Sequence, residues 1–273
     1  SLPPLPMYDG GKGIRRGLFN EPRSICVDNE GYVYVADFRN FRIQKFDQTG
    51  AHVTNWGSQG NESGQFNDPC DIAVDTEGNI YVADTFNSRV QKFSPDYIFM
   101  QSWIGLYVPR GIAVGGDNRV YVANTGGNSI HIFDTEGNRV TEIGRKGTGP
   151  LEFIEPIGIT VHSDGNIYVC DKGNKRIQVI SPKGTFIREI KISGWEGQVF
   201  VEPYIAVSQK NEILVTDPTA NALFIFSIDG ELKNKLNLQG RFRLPMGIFA
   251  ARDGKVFVVD SHNHKIQRLK ELE

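Results

Sequence analysis

A metal or acid–base centre needs histidine, cysteine or carboxylate side chains that converge, and this chain scatters them. Its five histidines are His52, His131, His162, His262 and His264, and its three cysteines are Cys26, Cys70 and Cys170. A tetrahedral zinc site needs three or four imidazole, thiolate or carboxylate ligands meeting at one point. His262 and His264 share a loop without a third partner beside them, and the cysteines fall in separate segments. Three cysteines cannot all pair, so no disulfide framework is expected. There is no G-x-S-x-G elbow, no P-loop and no H-E-x-x-H. The sequence therefore predicts no catalytic residue, no metal and no cofactor.

Other carboxylates recur in register. Asp37, Asp84, Asp171, Asp217 and Asp260 close equivalent segments of the chain. Five equivalent catalytic acids along a repeat make little chemical sense. A short carboxylate at a strand end can instead accept backbone N–H bonds in the turn that follows. These aspartates are read as structural, and the repeat that carries them decides the architecture.

Residues 25–37, 72–84, 112–124, 159–171, 205–217 and 248–260 align without a gap, as ICVDNEGYVYVAD and IAVDTEGNIYVAD show for the first two. Pro22, Pro69, Pro109, Pro156, Pro203 and Pro245 precede them at spacings of 40 to 47 residues. That period belongs to propeller blades or helical solenoids. Within it, short alternating apolar runs are bounded by turns such as Asp28-Asn29-Glu30-Gly31, and apolar residues never recur at helical spacing. The pattern predicts an all-β, six-bladed β-propeller of four-stranded antiparallel blades.

The blades are anchored at about residues 22–56, 69–103, 109–143, 156–190, 203–238 and 245–269, within one domain spanning 1–273. The sixth unit stops after its third strand, while residues 5–8 occupy the slot of a fourth. The N-terminal strand is therefore expected to complete the last blade, where Pro3, Pro4 and Pro6 suit only an edge. Thirty Lys and Arg against 32 Asp and Glu give a net charge of −2. That balance excludes a protein basic throughout, though not a local basic patch. No apolar run reaches the ~18 residues of a membrane span, so no membrane insertion is expected within the chain. It is read as part of a longer parent protein.

The third run of each unit carries a family resemblance. Asn40-Phe41-Arg42-Ile43-Gln44, Asn87-Ser88-Arg89-Val90-Gln91, Asn174-Lys175-Arg176-Ile177-Gln178 and Asn263-His264-Lys265-Ile266-Gln267 resemble NHL repeats. Units 3 and 5 depart from the motif, with Gly127-Asn128-Ser129-Ile130-His131 and Ala220-Asn221-Ala222-Leu223-Phe224. The resemblance implies the propeller fold and leaves function open. NHL propellers include the RNA- or protein-binding domains of tripartite-motif proteins, sensor domains of bacterial receptor kinases, and peptidyl-hydroxyglycine amidating lyase. A metal-dependent lyase would want histidines converging at the channel, a set this sequence does not display.

What breaks the repeat is more informative about function. Arg23, Cys70, Arg110, Ile157, Tyr204 and Met246 follow the blade prolines and are expected to ring one mouth of the central channel. Arg23, Asp71, Arg110 and Tyr204 are polar or amphipathic groups gathered near an axis, as a partner-anchoring site requires. A second candidate is basic. Arg15, Arg16, Arg39 and Arg42 belong to blade 1, Arg241 and Arg243 to blade 6, and closure makes those blades neighbours. Phe38, Phe41 and Phe242 lie among these charges, and aromatic faces between cations serve single-stranded RNA recognition. Glu62, Asp68, Glu196 and Glu202 alternate with them around the ring, which fits a protein or peptide partner. The sequence thus favours a non-enzymatic recognition scaffold for a protein or peptide, with RNA as the alternative.

Overall fold

The structure is a computed structural model and describes residues 10–195 and 202–269. Six blade sheets follow one another in chain order, with a short parallel pair, Arg145–Lys146 and Glu152–Phe153, between blades 3 and 4. Blade 1 comprises Ser24–Val27, Val33–Asp37, Arg42–Phe46 and His52–Trp56, hydrogen-bonded antiparallel in that sequence. Blade 2 repeats it with Pro69–Val74, Ile80–Asp84, Arg89–Phe93 and Phe99–Trp103. Blade 3 runs from Pro109–Val114 to Arg139–Ile143, blade 4 from Pro156–Val161 to Phe186–Lys191, and blade 5 from Ile205–Val207 to Leu232–Asn237. Blade 6 shows three strands among the described residues, Pro245–Ala250, Val256–Asp260 and Lys265–Leu269. The segment expected to supply its fourth strand, residues 5–8, lies outside the described residues.

Alternation along the strands divides the core into layers between blades rather than one central mass. In the second strand of blade 1, Tyr34 and Ala36 face blade 2, joining Phe66, Ile80 and Val82. Val33 and Val35 face the other way, joining Ile248 and Val258 of blade 6. Every second-strand residue from Val33 to Asp37 is buried, because neighbouring blades cover both faces. Ring closure between blades 6 and 1 is direct, since the Gly247 amide donates to the Arg23 carbonyl at 2.8 Å. The Glu21 amide also donates to His264 Nδ1 at 3.1 Å.

The recurring aspartates clasp each blade to the connection that enters it. Asp37 accepts the Asn20 amide at 2.8 Å on one oxygen. Its other oxygen accepts Asn40 Nδ2 (2.8 Å), Arg42 Nε (2.8 Å) and Gln44 Nε2 (3.0 Å). Arg42 reaches on to the Ile14, Arg15 and Leu18 carbonyls. Asp84 with Asn87, Arg89 and Gln91, and Asp171 with Asn174, Arg176 and Gln178, repeat the arrangement. The backbone donor differs from expectation: it comes from the connection 17 residues upstream, not from the following turn. Only Asp217 takes its donor from that turn, the Ala220 amide at 3.0 Å. So N-x-R-x-Q is the chemical complement of one buried carboxylate. Blade 3, which lacks the aspartate, pairs Asn124 with His131 at 3.1 Å instead.

Candidate functional site

Connections between blades and the turns from second to third strands share one face, because they hydrogen-bond to each other. The amides of Arg39, Phe86, Gly126, Gly173 and His262 donate to the carbonyls of Asn20, Asn67, Tyr107, Ile154 and Arg243. The strand register then locates the innermost residues on this face. Ile25, Ile72, Ile112, Ile159, Ile205 and Ile248 each pair with the middle valine of their second strand. The residues just before them are Ser24, Asp71, Gly111, Gly158, Tyr204 and Gly247. Glycine fits here because the next blade is close: a Cβ on Gly111 would lie 2.0 Å from the Ile157 carbonyl oxygen. Gly111→Ala is therefore expected to cost about 1–3 kcal/mol through overpacking, and an unchanged melting temperature would contradict this placement.

Where the slot is not glycine, polar side chains bridge the ring. Ser24 Oγ donates to Asp71 Oδ1, which also accepts the Ile72 amide at 2.9 Å. Asp71 Oδ2 accepts the Ile112 amide of blade 3 at 2.8 Å, so one carboxyl links blades 1, 2 and 3. Burial pushes the Asp71 carboxyl up to about 7, against the pull of those three donors. Tyr204 of blade 5 donates its hydroxyl to the Cys70 carbonyl of blade 2 at 2.9 Å. Blades 5 and 2 stand opposite in a six-fold ring, so this side chain crosses the axis. Burial raises the Tyr204 phenol well above its ordinary range and also raises the Cys70 thiol.

A second cluster lies over Tyr204 on the connection face. Glu202 pairs through one oxygen with Arg23 of blade 1 and through the other with Arg110 of blade 3. Residues entering blades 1, 3 and 5 can meet only at the axis. Arg23 also stacks on Phe38, its guanidinium carbon 3.9 Å from the ring centre, and Arg39 approaches that ring at 4.9 Å. Asp68 is buried beside Arg39, Arg23 and Arg110, with desolvation raising its carboxyl and the guanidiniums opposing that rise.

The axis is thus closed at this end rather than ringed by an open mouth, and Cys70, Ile157, Tyr204 and Met246 are all buried. The central channel, about 680 Å³, ends at Ser24, Asp71 and Tyr204 and reaches the opposite face between turns that include Asp28 and Asp75.

Of the four residues expected together near the axis, Arg23 and Arg110 meet at Glu202, whereas Asp71 and Tyr204 lie in the separate layer with Ser24 and the Cys70 carbonyl. Glu202, counted in the sequence only as neighbouring charge, is the group that joins two of them. Arg15, Arg16, Arg39, Arg241 and Arg243 are exposed on the same face. Arg42 is buried in the blade-1 clasp. Phe41 takes a left-handed conformation (φ 53°) at the end of its turn. Phe38 and Phe242 are buried and offer no open face for base stacking. Among the described residues, no group of three or more His, Cys, Asp or Glu side chains is placed to hold a metal ion. No helix among them is long and apolar enough to cross a membrane.

Comparison with known proteins agrees with this architecture. An NHL-repeat family model matches residues 19–46 and 66–93, and a family model described as a 6-bladed beta-propeller matches residues 112–195. No relative is found among curated protein sequences. A catalytically inactive virginiamycin B lyase from Staphylococcus aureus, solved with quinupristin, superimposes with a TM-score of 0.70 at 18% identity, over 96% of this chain and 82% of its own. A streptogramin B lyase gives 0.68 at 19% identity, over 97% and 96%. A chain of the nidogen/laminin complex gives 0.67 at 19% identity, over 83% of each. At such identities the likeness is one of fold, and it spans an enzyme and a partner in a protein complex alike.

Proposed function

We propose that this chain, a six-bladed β-propeller of NHL repeats, is a non-enzymatic recognition module that docks a protein or peptide on its connection face. The observation that carries the reading is what that face leaves uncovered. Ile14 is 80% exposed, Ile104 79%, Tyr107 63% and Phe86 56%, all on connections or second-to-third-strand turns. Large apolar side chains on loops held by a rigid ring are what a docking surface offers. Phe86 follows Thr85, whose hydroxyl donates to the Pro109 carbonyl at 2.8 Å, and Tyr107 lies three residues before Arg110, so both belong to loops that border Arg110. The polar groups at the axis support docking over catalysis. Asp71 is held by three donors and Tyr204 is buried, so neither is presented to a substrate on this face.

The test places a photo-crosslinking residue at position 107 or at the outer-strand position of Val140, which is also exposed. We expect capture of one defined partner from 107 and not from 140, and loss of that capture by roughly 30-fold in Phe86→Ser, the scale of one interface hot spot. Capture from 140 alone would overturn the reading. So would sub-micromolar, steeply salt-dependent binding of a single-stranded RNA pool that vanishes in an Arg15→Glu/Arg16→Glu/Arg39→Glu variant.

A further inference from the structure

We infer that Arg23 and Arg110 form a carboxylate-recognition site, and that Glu202 occupies it as an internal stand-in for an acidic group of the partner. The inference rests on the docking reading of the same face and names the chemistry its centre recognises. Arg23 and Arg110 hold the same slot of alternate blades, each directly after the blade proline, where blades 2, 4 and 6 carry Cys70, Ile157 and Met246. Each guanidinium offers five N–H donors in a planar fork. Among the described residues, the only carboxylate either one pairs with is Glu202, and neither donates a hydrogen bond elsewhere. The pair is thus arranged around a single carboxylate, one guanidinium on each oxygen, with donors left over.

Access separates this cluster from a structural ion pair. Arg42 and Arg176 are buried within their blades and donate to two or more backbone carbonyls besides their aspartates. The side chains of Arg23 and Arg110 remain 19% and 24% exposed, whereas that of Glu202 is 7% exposed beneath them. An incoming carboxylate therefore meets the guanidiniums before it meets Glu202. Phe38 packs against the Arg23 guanidinium and restricts its motion, and Arg39, paired with Glu21, approaches the same ring. Three arginines here face Glu202, Asp68 and Glu21, so the formal charges balance, and what the site offers an added anion is the unused guanidinium donors rather than net charge.

Exposed Tyr107 and Phe86 beside Arg110 specify the rest of the ligand: an acidic residue, or a chain-terminal carboxylate, flanked by apolar side chains.

Occupation by Glu202 weakens the site for its ligand. A site whose open state is populated about one time in ten binds roughly tenfold more weakly than the open state alone. Three fluorescent peptides test this by anisotropy: one with a single glutamate between two leucines and both ends blocked, one with glutamine in its place and a free C-terminus, and one with glutamine and both ends blocked. Glu202→Gln is expected to bind one of the first two about tenfold more tightly than wild type. Which one it is distinguishes a side-chain from a C-terminal carboxylate. The gain should be absent for the third peptide and lost in Glu202→Gln/Arg110→Gln. No gain, or an equal gain for the blocked glutamine peptide, would overturn the inference.

Should Glu202→Gln not fold, the wild type decides. Titrated with glutarate, its Arg23 and Arg110 Nε–Hε NMR signals should shift together and saturate. No shift, or stronger competition by inorganic phosphate, refutes a carboxylate site. If crosslinking from position 107 succeeds but Arg110→Gln leaves capture intact, the carboxylate inference falls and docking stands. If glutarate shifts both arginines while position 107 captures nothing, the docking reading falls and the anion site stands.

Discussion

Asp171→Ala should lower stability by about 3–5 kcal/mol, the cost of removing one partner from a buried ion pair. Asp171 is fully buried and accepts four hydrogen bonds: the Ile154 amide at 2.9 Å, Asn174 Nδ2 at 2.9 Å, Arg176 Nε at 2.8 Å and Gln178 Nε2 at 3.0 Å. Alanine deprives all four donors of their acceptor, each buried donor costing about 1–3 kcal/mol if nothing replaces it. Arg176 keeps Glu189 and two carbonyls, so its charge is not abandoned, and the total stays below the simple sum.

Blade 5 supplies the control. Asp217 is equally buried, but Ala220, Ala222 and Phe224 stand where blades 1, 2 and 4 place Asn, Arg and Gln. It accepts the Ala220 amide on one oxygen, while its other oxygen has no partner. Asp217→Ala removes an imperfectly satisfied carboxylate along with a single hydrogen bond, and is expected to cost less than about 1.5 kcal/mol. The shift in urea midpoint at unchanged m-value measures both. Equal losses would mean that the clasp residues contribute nothing beyond filling space.

The clasp shows why so much of the fold was legible. A carboxylate at the end of the second strand and N-x-R-x-Q at the start of the third are fixed by one local hydrogen-bond set, so they recur at constant spacing wherever the set is used. Blade number, strand order and the departure of blades 3 and 5 follow from that recurrence. Less legible was anything that crosses the ring. The meeting of Arg23, Arg110 and Glu202 joins alternate blades, and no linear spacing encodes it. Two arginines in the same slot of blades 1 and 3 were a signal, since such a pair near an axis calls for an acid between them.

Tyr204 was placed by its proline beside Arg23 and Arg110, whereas register places it with Ser24 and Asp71. Pro203 stands two residues before its strand isoleucine, while the other blade prolines stand three before theirs. That one-residue deficit moves a tyrosine into the glycine slot and so across the channel. Phe38 could not be recognised as covered for a related reason: the guanidinium on its face comes from Arg23, 15 residues earlier on the connection that enters the blade.

The same slot gives the protein an expected pH dependence. Asp71 titrates at about 7 in the folded chain because burial disfavours its charge more than its three donors favour it. In the unfolded chain an aspartate titrates near ~3.9. Between those values the folded state holds a proton that the unfolded state has released, so stability falls as pH rises, by about 1.4 kcal/mol per unit. The contribution is fully present below ~4 and lost above about 7, a change on the order of 4 kcal/mol. Carboxylates whose folded values are lowered, such as Asp47 and Asp134, act in the opposite sense and at lower pH. Total stability is therefore the wrong readout, and the difference between wild type and Asp71→Asn is the right one. Asparagine keeps the shape and a carbonyl acceptor for the Ile112 or Ile72 amide, and its NH2 can donate to Ser24 Oγ. It carries no charge at any pH, so its stability should lack the Asp71 slope. Asp71→Asn is expected to be no more stable than wild type at pH 5 and up to about 3 kcal/mol more stable at pH 8, as read by urea denaturation. A difference that does not change between those two pH values would mean that Asp71 ionises without penalty, and hence that water reaches it through the channel.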